Sequence, residues 1–543
     1  MSLSRFWSEE MLERKPYLGP LALGVFAALL FLPGLGARDF WAPGEPIYGE
    51  VIRVMYEKND WLVPMLNGQL FADKPVLYFW LALIVSKIAG GVNEWTVRLP
   101  AALGGLGLVL ITYQFGKDFY DRQTGFLSGL VLATSSRVLW ESRFLRLDTV
   151  LAFFLFLGFY FFLKALTKRG SKNYYLLGYF CFALATLTKG PIGLALPGLA
   201  VLSLVLLAGR WRGIKEMRLF SGFIVVLLVL VPWLWLLHLR GDDQWVKDFL
   251  WTHNIQNYAL KPIGHIRPFY YYFINLPPDV LPWTLLVPGA LLFYYPWKER
   301  LQNLPTLALG CWFAAIFIFF SISKSKIAYY LVPLLPSVAL LVGCYLRALI
   351  TDKETQGMHW HLTAGFLYLL VCLLGLTGGV LPVVVYRLER ELFLWALLSA
   401  AVLVGGSISM FVFLRRKQLE PFFFSFLAIL LGASLIASVG ILPHIDNYKS
   451  PRALGEAVRS RLPADVPVYV FQSTMADFNY YSGREEILVV ASKDDVNKLA
   501  LSGREAYLII NDKDLQQIKS SVRYNVVTEH QVGEKKWYLL RLS

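Results

Sequence analysis

The residues that could do chemistry in this chain are carboxylates at the ends of long apolar runs. The segment FWAPGEPIYGE, residues 40–50, follows the first such run and holds Glu45 and Glu50. Asp148 stands at the start of the run LDTVLAFFLFLGFYFF. An acid in that place can cap a helix by accepting first-turn N–H groups, or it can orient or deprotonate a substrate. Both interpretations are open for Asp148, and they are equally open for Asp73.

Basic residues accompany these acids at the same ends of the apolar runs. They are Lys74, Arg98, Arg143, Arg146, Lys189, Arg267, Lys324 and Lys326. Ionisable groups at membrane depth are costly and usually functional, and Lys and Arg bind phosphate through charge-assisted hydrogen bonds. The simplest requirement for such a set is a lipid phosphate at the membrane boundary. The alternative is that each cation pairs with a nearby acid or a phospholipid headgroup.

A metal site is a weaker hypothesis. His265 and Arg267 lie in KPIGHIRPFYYYF, within a long polar loop. A lone His is more often a hydrogen-bonding residue than a metal ligand, because a metal needs several ligands. Asp73 is an acid that could join His265 on a divalent metal. No cofactor is firmly predicted.

The elements that position these residues are predicted to be transmembrane helices. Of the 543 residues, 56% are apolar and only 17% are charged, whereas soluble domains carry about 25% charged residues. Apolar runs of roughly 18 or more residues indicate membrane spans. We recognise about thirteen, near 17–36, 96–115, 123–140, 149–166, 174–188, 190–208, 219–238, 279–296, 304–322, 327–347, 361–383, 391–414 and 421–442.

The distribution of basic residues predicts the orientation of these spans. With the N-terminus inside, the short inner loops carry Lys117, Arg122, Lys168, Arg169, Lys172, Arg210, Arg212, Lys215, Lys298, Arg300, Arg415, Arg416 and Lys417. This satisfies the positive-inside rule only if the apolar run 74–90 does not cross the membrane. The loops 37–95 and 239–278 and the tail 443–543 then face outwards. The net charge of +14 belongs to such loops and does not indicate a nucleic-acid partner.

The tail is predicted to be a separate small α/β domain. VPVYVF (466–471), EILVVA (486–491) and AYLIIN (506–511) are typical of strands, DDVNKLA (494–500) and DKDLQQIKSS (512–521) of helices, and YNVVTEHQ with KKWYLLRL of a closing hairpin. We find no nucleotide-binding glycine motif in it. A structural cap over the membrane part is the favoured interpretation.

The chain resembles the bacterial aminoarabinose transferases, which belong with the protein O-mannosyltransferases among the GT-C glycosyltransferases. The segments that carry the resemblance are NDWLVPMLNGQLFADKPVLYFW (59–80), RFLRLDTVLAFF (143–154), TLTKGPIGLALPG (186–198), HIRPFYYYFINLPPDVLPWTLLVPGAL (265–291), FFSISKSKIAYYLVPLLPSVALL (319–341) and NYYSGRE (479–485).

The resemblance implies a fold, a location and an activity. We expect an all-α GT-C membrane domain over 1–442 and a periplasmic α/β domain over 443–543, in a bacterial inner membrane. The expected enzyme moves a sugar, such as 4-amino-4-deoxy-L-arabinose, from a polyprenyl phosphate. The expected acceptor is lipid A phosphate or another envelope molecule on the periplasmic side.

The resemblance and the placement of charges together predict the site residues. Asp148 and Glu45 are the predicted catalytic acids. The predicted contacts of the donor phosphate are Lys74, Arg267, Lys189, Tyr330 and Lys326. The predicted substrate contacts are Tyr48, Asp73, Arg143, Arg146 and His265.

The first loop departs from the family pattern. Where the family has Asp-Glu-Pro-Arg-Tyr, this chain has Gly44-Glu45-Pro46-Ile47-Tyr48. We favour a different donor or acceptor as the reason; the alternatives are that the first Asp is dispensable here or that the protein is weakly active.

Three functional alternatives follow. The sugar can go to a protein or glycan hydroxyl, which needs a general base, whereas a phosphate acceptor is already an anion. A lipid or sugar transporter is a different class, although its charges would lie near the midplane of the membrane. An accessory paralogue whose tail binds a partner is the third.

Overall fold

The computed structural model describes residues 15–167, 171–247, 249, 266–294, 303–351, 353–473, 477–502, 505–519 and 521–542. The chain forms two compact units. The first, here called the membrane unit, comprises Met1–Pro33, Asp73–Tyr78 and Pro100–Ala437. The second, here called the polar unit, comprises Gly34–Ala72, Phe79–Leu99 and Ser438–Ser543.

The membrane unit is helical. Its helices are Leu18–Phe31, the greater part of Glu94–Phe119, Arg122–Thr134, Ser136–Glu141, Asp148–Leu166, Tyr174–Lys189, Ile192–Leu207, Trp211–Met217, Leu219–Leu239, Asp243–Lys247, Tyr271–Val280, Trp283–Leu286, Val287–Phe293, Leu304–Ile322, Ala328–Leu334, Leu335–Thr351, Lys353–Leu388, Arg390–Leu392, Phe393–Arg415 and Leu419–Ile436.

Eight helices of the described residues are long and apolar enough to cross a membrane. They are Glu94–Phe119, Asp148–Leu166, Gly213–Leu239, Leu304–Ile322, Ala328–Thr351, Thr363–Leu388, Arg390–Arg415 and Leu419–His444. A ninth is formed if Tyr271–Val280 and Trp283–Phe293, which meet at 105°, count as one broken span. The chain is therefore a multi-span membrane protein.

The other predicted spans correspond to shorter helices. Leu18–Phe31 has 14 residues, and Tyr174–Lys189 and Ile192–Leu207 have 16 each. The predicted span 123–140 divides into Arg122–Thr134 and Ser136–Glu141. Ser135 makes the division, because it has extended backbone angles and its hydroxyl donates to the Val131 carbonyl.

The apolar run 74–90 forms the 13-residue helix Leu77–Ala89. At about 1.5 Å per residue this helix rises about 20 Å, less than the roughly 30 Å of a bilayer core. Leu18–Phe31 is only one residue longer, so this length does not test the expectation that the run 74–90 stays on one side, which remains a prediction.

The polar unit contains a five-stranded mixed sheet. Its strands are β3 (Val468–Phe471), β4 (Leu488–Val490), β5 (Ala506–Asn511), β6 (Tyr524–Val532) and β7 (Lys535–Leu542), in the order β4-β3-β5-β7-β6. Strand β3 is parallel to β4 and β5, and β7 is antiparallel to β5 and β6. The predicted strands, the two predicted helices (observed as Lys493–Leu501 and Asp512–Ile518) and the closing hairpin are confirmed.

The polar unit also contains much of the first loop. This part includes helix Glu45–Glu57, strands β1 (Met65–Leu66) and β2 (Gln69–Leu70), and helix Leu77–Ala89 from Phe79 onwards. The remaining helical segments are Ala437–Ile441, Leu442–His444, Asp446–Lys449, Arg452–Arg461 and Asn479–Ser482. The predicted domain boundary at 442 lies close to Ser438, where the C-terminal part of this unit begins. The division into 1–442 and 443–543 remains a prediction.

A tight hairpin attaches the first loop to the sheet. Asn67 and Gly68 between β1 and β2 have φ angles of 52° and 74°, as a type I′ turn requires. The Asn67 side chain accepts from the Ile487 N–H at 2.7 Å and donates to its carbonyl at 3.0 Å. The backbone N–H and carbonyl of Ile487, just before the edge strand β4, are thus hydrogen-bonded to the first loop.

Candidate functional site

Asp148 and Lys189 meet at the ends of two closely packed helices of the membrane unit. Asp148 is the first residue of Asp148–Leu166, and Lys189 is the last of Tyr174–Lys189. Gly158 and Gly178 let the helices approach, since a Cβ on either glycine would lie 3.1 to 3.2 Å from the other's carbonyl oxygen. Lys189 Nζ consequently lies 2.5 Å from Asp148 Oδ1, with both side chains largely buried.

The predicted role of Asp148 as an N-cap is not what the structure has. Leu147 occupies the cap position, and no side chain caps this helix end. The acid in the first turn and the base in the last turn still suit the two helix dipoles. The carboxylate is thus available for a cation rather than committed to the backbone.

Two tyrosines and two further cations surround this pair. Lys189 Nζ lies 4.6 Å from the centre of the Tyr330 ring and 5.3 Å from that of Tyr329. The guanidinium of Arg146 lies 4.7 Å from the Tyr329 ring centre. Cations over aromatic faces are held in place while they stay charged. Arg146 and Tyr330 therefore join the group, as the sequence predicts.

Lys74 is the third cation in this region. Its Nζ lies 2.8 Å from Asp73 Oδ2 and donates to the Asp73 carbonyl at 3.1 Å. It is within electrostatic range of Tyr329, Tyr330 and Lys189. Burial alone would lower the pKa of Lys74, but Asp73 reverses this effect and the pKa is raised. Lys74 therefore carries its charge at neutral pH. We name Lys74, Arg146, Asp148, Lys189, Tyr329 and Tyr330 the Asp148 group.

Arg267 borders a cavity of about 540 Å³ in the same unit. The cavity has cations at one part of its wall, Arg267, Lys324 and Lys326, and apolar side chains elsewhere, including Phe269, Phe273, Phe317 and Ile318. The turn that carries Lys324 and Lys326 leads directly into Ala328–Leu334, the helix of the two tyrosines. This combination suits a molecule with an anionic head and an apolar chain.

Lys326 has a structural task at this cavity. Its buried ammonium donates to the carbonyls of Ser323 and Arg267, the latter at 3.2 Å. These bonds close the turn on the Ile266–Ser325 bridge. Burial lowers the pKa of Lys326. The predicted phosphate contact is thus occupied by backbone oxygens, and His265 lies outside the described residues.

Arg143 holds the end of a helix. Its guanidinium donates to the carbonyls of Leu30 at 2.7 Å and Pro33 at 2.6 Å. Helix Leu18–Phe31 ends there, where backbone carbonyls lack helical partners. Arg143 therefore has a structural task, and its predicted substrate contact stays a prediction.

Glu45 is held by two arginines within the polar unit. Its carboxylate accepts from Arg38 at 2.6 and 3.1 Å, from Arg98 at 2.9 and 3.1 Å, and from the Trp41 N–H at 3.1 Å. Burial alone would raise the pKa of Glu45, but Arg38 and Arg98 hold it well below its usual range. A carboxylate saturated with donors is a poor proton acceptor. This geometry argues against the predicted catalytic role and for a structural one.

Gly44, where the family has Asp, has a backbone that suits glycine. Its φ is +113°, a region that L side chains rarely adopt. Its N–H donates to the carboxylate of Asp477. Asp477 is not among the residues predicted for the site. Burial raises the pKa of Asp477 to about 6, and among the described residues Oδ1 finds no hydrogen-bond donor. A carboxylate distant in sequence therefore stands beside Gly44.

The remaining predicted residues have ordinary surroundings. Tyr48 lies among Phe71 and Phe79, with ring centres 6.1 and 6.3 Å away. Asp73 is paired with Lys74. Within the described part of the chain, no three His, Cys, Asp or Glu side chains are grouped so that they could hold a metal ion.

A second group of charges was not predicted. Arg137 bonds Glu141 at 3.1 Å and Asp279 at 2.7 Å, and both acids are buried. The spacing of Arg137 and Glu141, four apart in one helix, was the available signal. No sequence spacing indicates the contact of Asp279 with Arg137, because only the tertiary fold brings these two residues together.

The known proteins with similar sequences are named as sugar transferases that use a lipid phosphate. A family model described as dolichyl-phosphate-mannose-protein mannosyltransferase matches residues 73–236. An undecaprenyl phosphate-alpha-4-amino-4-deoxy-L-arabinose arabinosyl transferase of Serratia proteamaculans is 31% identical over 372 residues, 67% of this chain and 66% of the relative. The alignment thus spans just under two thirds of that relative. The Shewanella sediminis protein of the same name is 28% identical over 87% of this chain and 86% of its own.

The fold has solved counterparts. The crystal structure of ArnT from Cupriavidus metallidurans bound to undecaprenyl phosphate matches with a TM-score of 0.78, at 20% identity, over 96% of this chain and 97% of that one. The Archaeoglobus fulgidus oligosaccharyltransferase matches with a TM-score of 0.55 at 12% identity, over 92% of this chain and 70% of its own. The predicted GT-C fold is confirmed. This chain belongs to the glycosyltransferase family that includes the bacterial aminoarabinose transferases.

Proposed function

We propose that this protein transfers a sugar from a polyprenyl phosphate to an acceptor of the bacterial cell envelope, at the outer face of the inner membrane. Aminoarabinose is the proposed sugar, in line with the names of the relatives. Lipid A phosphate is the proposed acceptor. The observation that carries this proposal is the Asp148 group, which gathers three cations, one acid and two tyrosines at the ends of membrane helices.

The cavity at Arg267 supports a lipid donor. Its apolar wall can take part of a polyprenyl chain, while Arg267 and Lys324 offer charge to a phosphate. One of the similar crystal structures, that of Cupriavidus metallidurans, contains undecaprenyl phosphate. The same lipid phosphate is our proposed donor carrier.

The proposed step is a displacement at the anomeric carbon of the sugar. An acceptor oxygen forms a bond to that carbon while the carbon–oxygen bond to the lipid phosphate breaks. Negative charge develops on the leaving phosphate, so cations that face it stabilise the transition state more than the ground state. Lys74 and Lys189 are the proposed cations, with Tyr330 as a neutral donor. Loss of one such donor costs about 10²–10³ in rate.

Asp148 has the complementary role in this proposal. Its ion pair with Lys189 fixes the lysine and keeps the carboxylate beside the site at 2.5 Å. The carboxylate then orients the sugar through its hydroxyl or amino groups. We further propose that the polar unit and the Asp148 group face the periplasm, as the positive-inside rule requires.

The direct test is transfer by purified protein in detergent. We expect sugar from undecaprenyl phosphate-aminoarabinose to appear on lipid A, as followed by mass spectrometry. Lipid A and envelope glycans of cells with and without the gene identify the acceptor independently. A protein that moves sugar or lipid only across sealed vesicles would instead be a transporter, and modified protein or glycan hydroxyls would establish the other acceptor class.

A further inference from the structure

Glu141, Asp279 and Arg137 form a buried group of the membrane unit that the transfer step above does not use. Arg137 Nη1 lies 3.1 Å from Glu141 Oε1, and Nη2 lies 2.7 Å from Asp279 Oδ1. Glu141 is 2% exposed and Asp279 3%. One guanidinium thus serves two buried carboxylates.

Contacts around Ser135 bring the three residues together. The Ser136 N–H donates to the Leu281 carbonyl at 2.9 Å, and Trp283 Nε1 donates to Thr134 Oγ1 at 2.8 Å. These bonds join helix Ser136–Glu141, which carries Arg137 and Glu141, to the end of Tyr271–Val280, which carries Asp279. The break at Ser135 therefore builds this group.

Arg137 does not supply a donor to every carboxylate oxygen of this group. Within the part of the chain that the structure describes, Glu141 Oε2 and Asp279 Oδ2 are buried and accept no hydrogen bond. A buried acceptor left without a donor destabilises the fold, and more so when it is charged. A proton on Glu141, or an O–H of a bound molecule, removes this cost.

Glu141 also lies within electrostatic range of the Asp148 group. The charged groups around it are Arg137 on its own helix, Asp279 across Arg137, and Arg146, Asp148 and Lys189. Tyr329 and Tyr330 stand on the helix next to these residues. Burial raises the pKa of Glu141 to about 7; Asp148 adds to this effect, while Arg146 and Arg137 oppose it.

The two acids are thus set for different tasks. Asp148 is bonded to an ammonium at 2.5 Å, whereas Glu141 has one oxygen that is free of any donor. Two carboxylates of one site with such different surroundings are the usual arrangement for acid–base chemistry.

We propose that Glu141 is the proton acceptor of the transfer reaction, acting through Oε2. As the acceptor oxygen bonds to the anomeric carbon, its proton moves to Oε2, and the electron pair of the broken bond leaves with the lipid phosphate. The proton then passes to water. This inference rests on the proposed function, and it applies to an attacking oxygen that carries a proton, in a hydroxyl or a hydrogen phosphate.

The test is the pH dependence of kcat/KM, with undecaprenyl phosphate-aminoarabinose and the acceptor that the wild type glycosylates. We expect the wild-type rate to fall about tenfold per pH unit below about pH 7. We call this fall in rate at low pH the acid limb. Glu141→Gln should lower the rate at pH 8 by a factor of about 10²–10⁴, and its remaining rate should show no acid limb. Glu141→Asp should keep a limb, at a shifted pH, with part of the rate.

The matched control is Asp118→Asn. Asp118 is a partly buried acid of the same unit that accepts from Tyr160 at 2.6 Å and Lys164 at 3.1 Å. This variant should keep the wild-type acid limb. An unchanged limb in Glu141→Gln, or a limb abolished equally by Asp118→Asn, overturns the inference while the proposed function stands. Absence of transfer by the wild type overturns both. If Glu141→Gln does not fold, an unshifted limb in Glu141→Asp overturns it.

Discussion

Asp148 and Glu45 are both buried acids beside cations, but their partners give them different tasks. Glu45 accepts from two guanidiniums and a backbone N–H, so little remains for a substrate. Asp148 is bonded to Lys189, a flexible point charge that can exchange partners. At the scale of the residue, donor number separates a structural carboxylate from a candidate catalytic one.

Substitution of Asp148 tests whether its carboxylate has a catalytic role. Asp148→Asn keeps the shape and one acceptor oxygen but removes the charge that faces Lys189. We expect a folded protein whose transfer rate is lower by about 10²–10⁴. The measurement is transfer by purified protein, with thermal unfolding as the check on folding. A rate close to the wild type would remove Asp148 from the mechanism.

Substitution of Glu45 tests whether its carboxylate has a structural role. Glu45→Gln leaves Arg38 and Arg98 facing a neutral group in a buried place, which costs about 3–5 kcal/mol. We expect a loss of thermal stability, with transfer per folded molecule retained. Glu57→Gln on the same helix, whose side chain is 56% exposed, should change stability by about 0.5 kcal/mol or less. A large loss of rate without a loss of stability would restore the catalytic interpretation of Glu45.

Asp477 predicts a pH dependence of stability. Its pKa is about 6 in the fold against an ordinary 3.8, so the folded state holds a proton that the unfolded state releases. The resulting stabilisation is full below pH 3.8 and is lost as the pH rises through about 6. It amounts to about 2–3 kcal/mol. Thermal unfolding between pH 4 and 7 should show this slope, and Asp477→Asn should flatten it; equal slopes in both proteins would contradict the assignment.

At the scale of the element, helix packing places Asp148 against Lys189. The helices that carry them approach through Gly158 and Gly178, and a Cβ on Gly158 would lie 2.4 Å from a ring atom of Phe182. The ion pair at the helix ends therefore depends on a contact about ten residues away along the helix axis, or roughly 15 Å.

Gly158→Ala is the corresponding prediction. Overpacking at this contact should cost about 1–3 kcal/mol and lower the transfer rate, because the helix ends move apart. The control is Gly198→Ala on helix Ile192–Leu207, where no atom lies within 4 Å of the added Cβ. That variant should be neutral or slightly stabilising. Equal effects of both substitutions would show that helix propensity, and not the close approach, decides the result.

At the scale of the whole molecule, the polar unit is built from distant parts of the chain. Asp446 accepts from the Asp39 N–H at 2.9 Å and from Trp41 Nε1 at 2.6 Å. Tyr481 accepts from the Phe40 N–H at 2.7 Å and donates to Glu94 at 2.8 Å. The C-terminal segment thus completes the fold of the first loop.

Removal of residues 443–543 tests this dependence. We expect the first loop to become sensitive to limited proteolysis, because Asp39, Phe40 and Asn67 lose their hydrogen-bond partners. Asn67→Ala in the full chain should loosen only the hairpin at β1 and β2 and leave the segment near Phe40 protected. A loop that stays protected after the truncation would show that it folds without the tail.

The sequence by itself determined the class of the protein. Long apolar runs, basic clusters and period-two strands are local features, so they predicted the membrane helices and the α/β tail. The GT-C family was implied by the resemblance of several segments to known transferases. The charged residues of the Asp148 group were predicted as site residues, since a charge next to an apolar run is visible locally, and Tyr330 was predicted from the resemblance. Only the tertiary structure decided which charges satisfy one another. Glu45, Arg143 and Lys326 looked free in the sequence but are bonded to arginines or backbone carbonyls. The role proposed for Glu141 likewise depends on Arg137 and Asp279. The physical reason is that hydrogen-bond partners in a fold come from residues far apart in the chain.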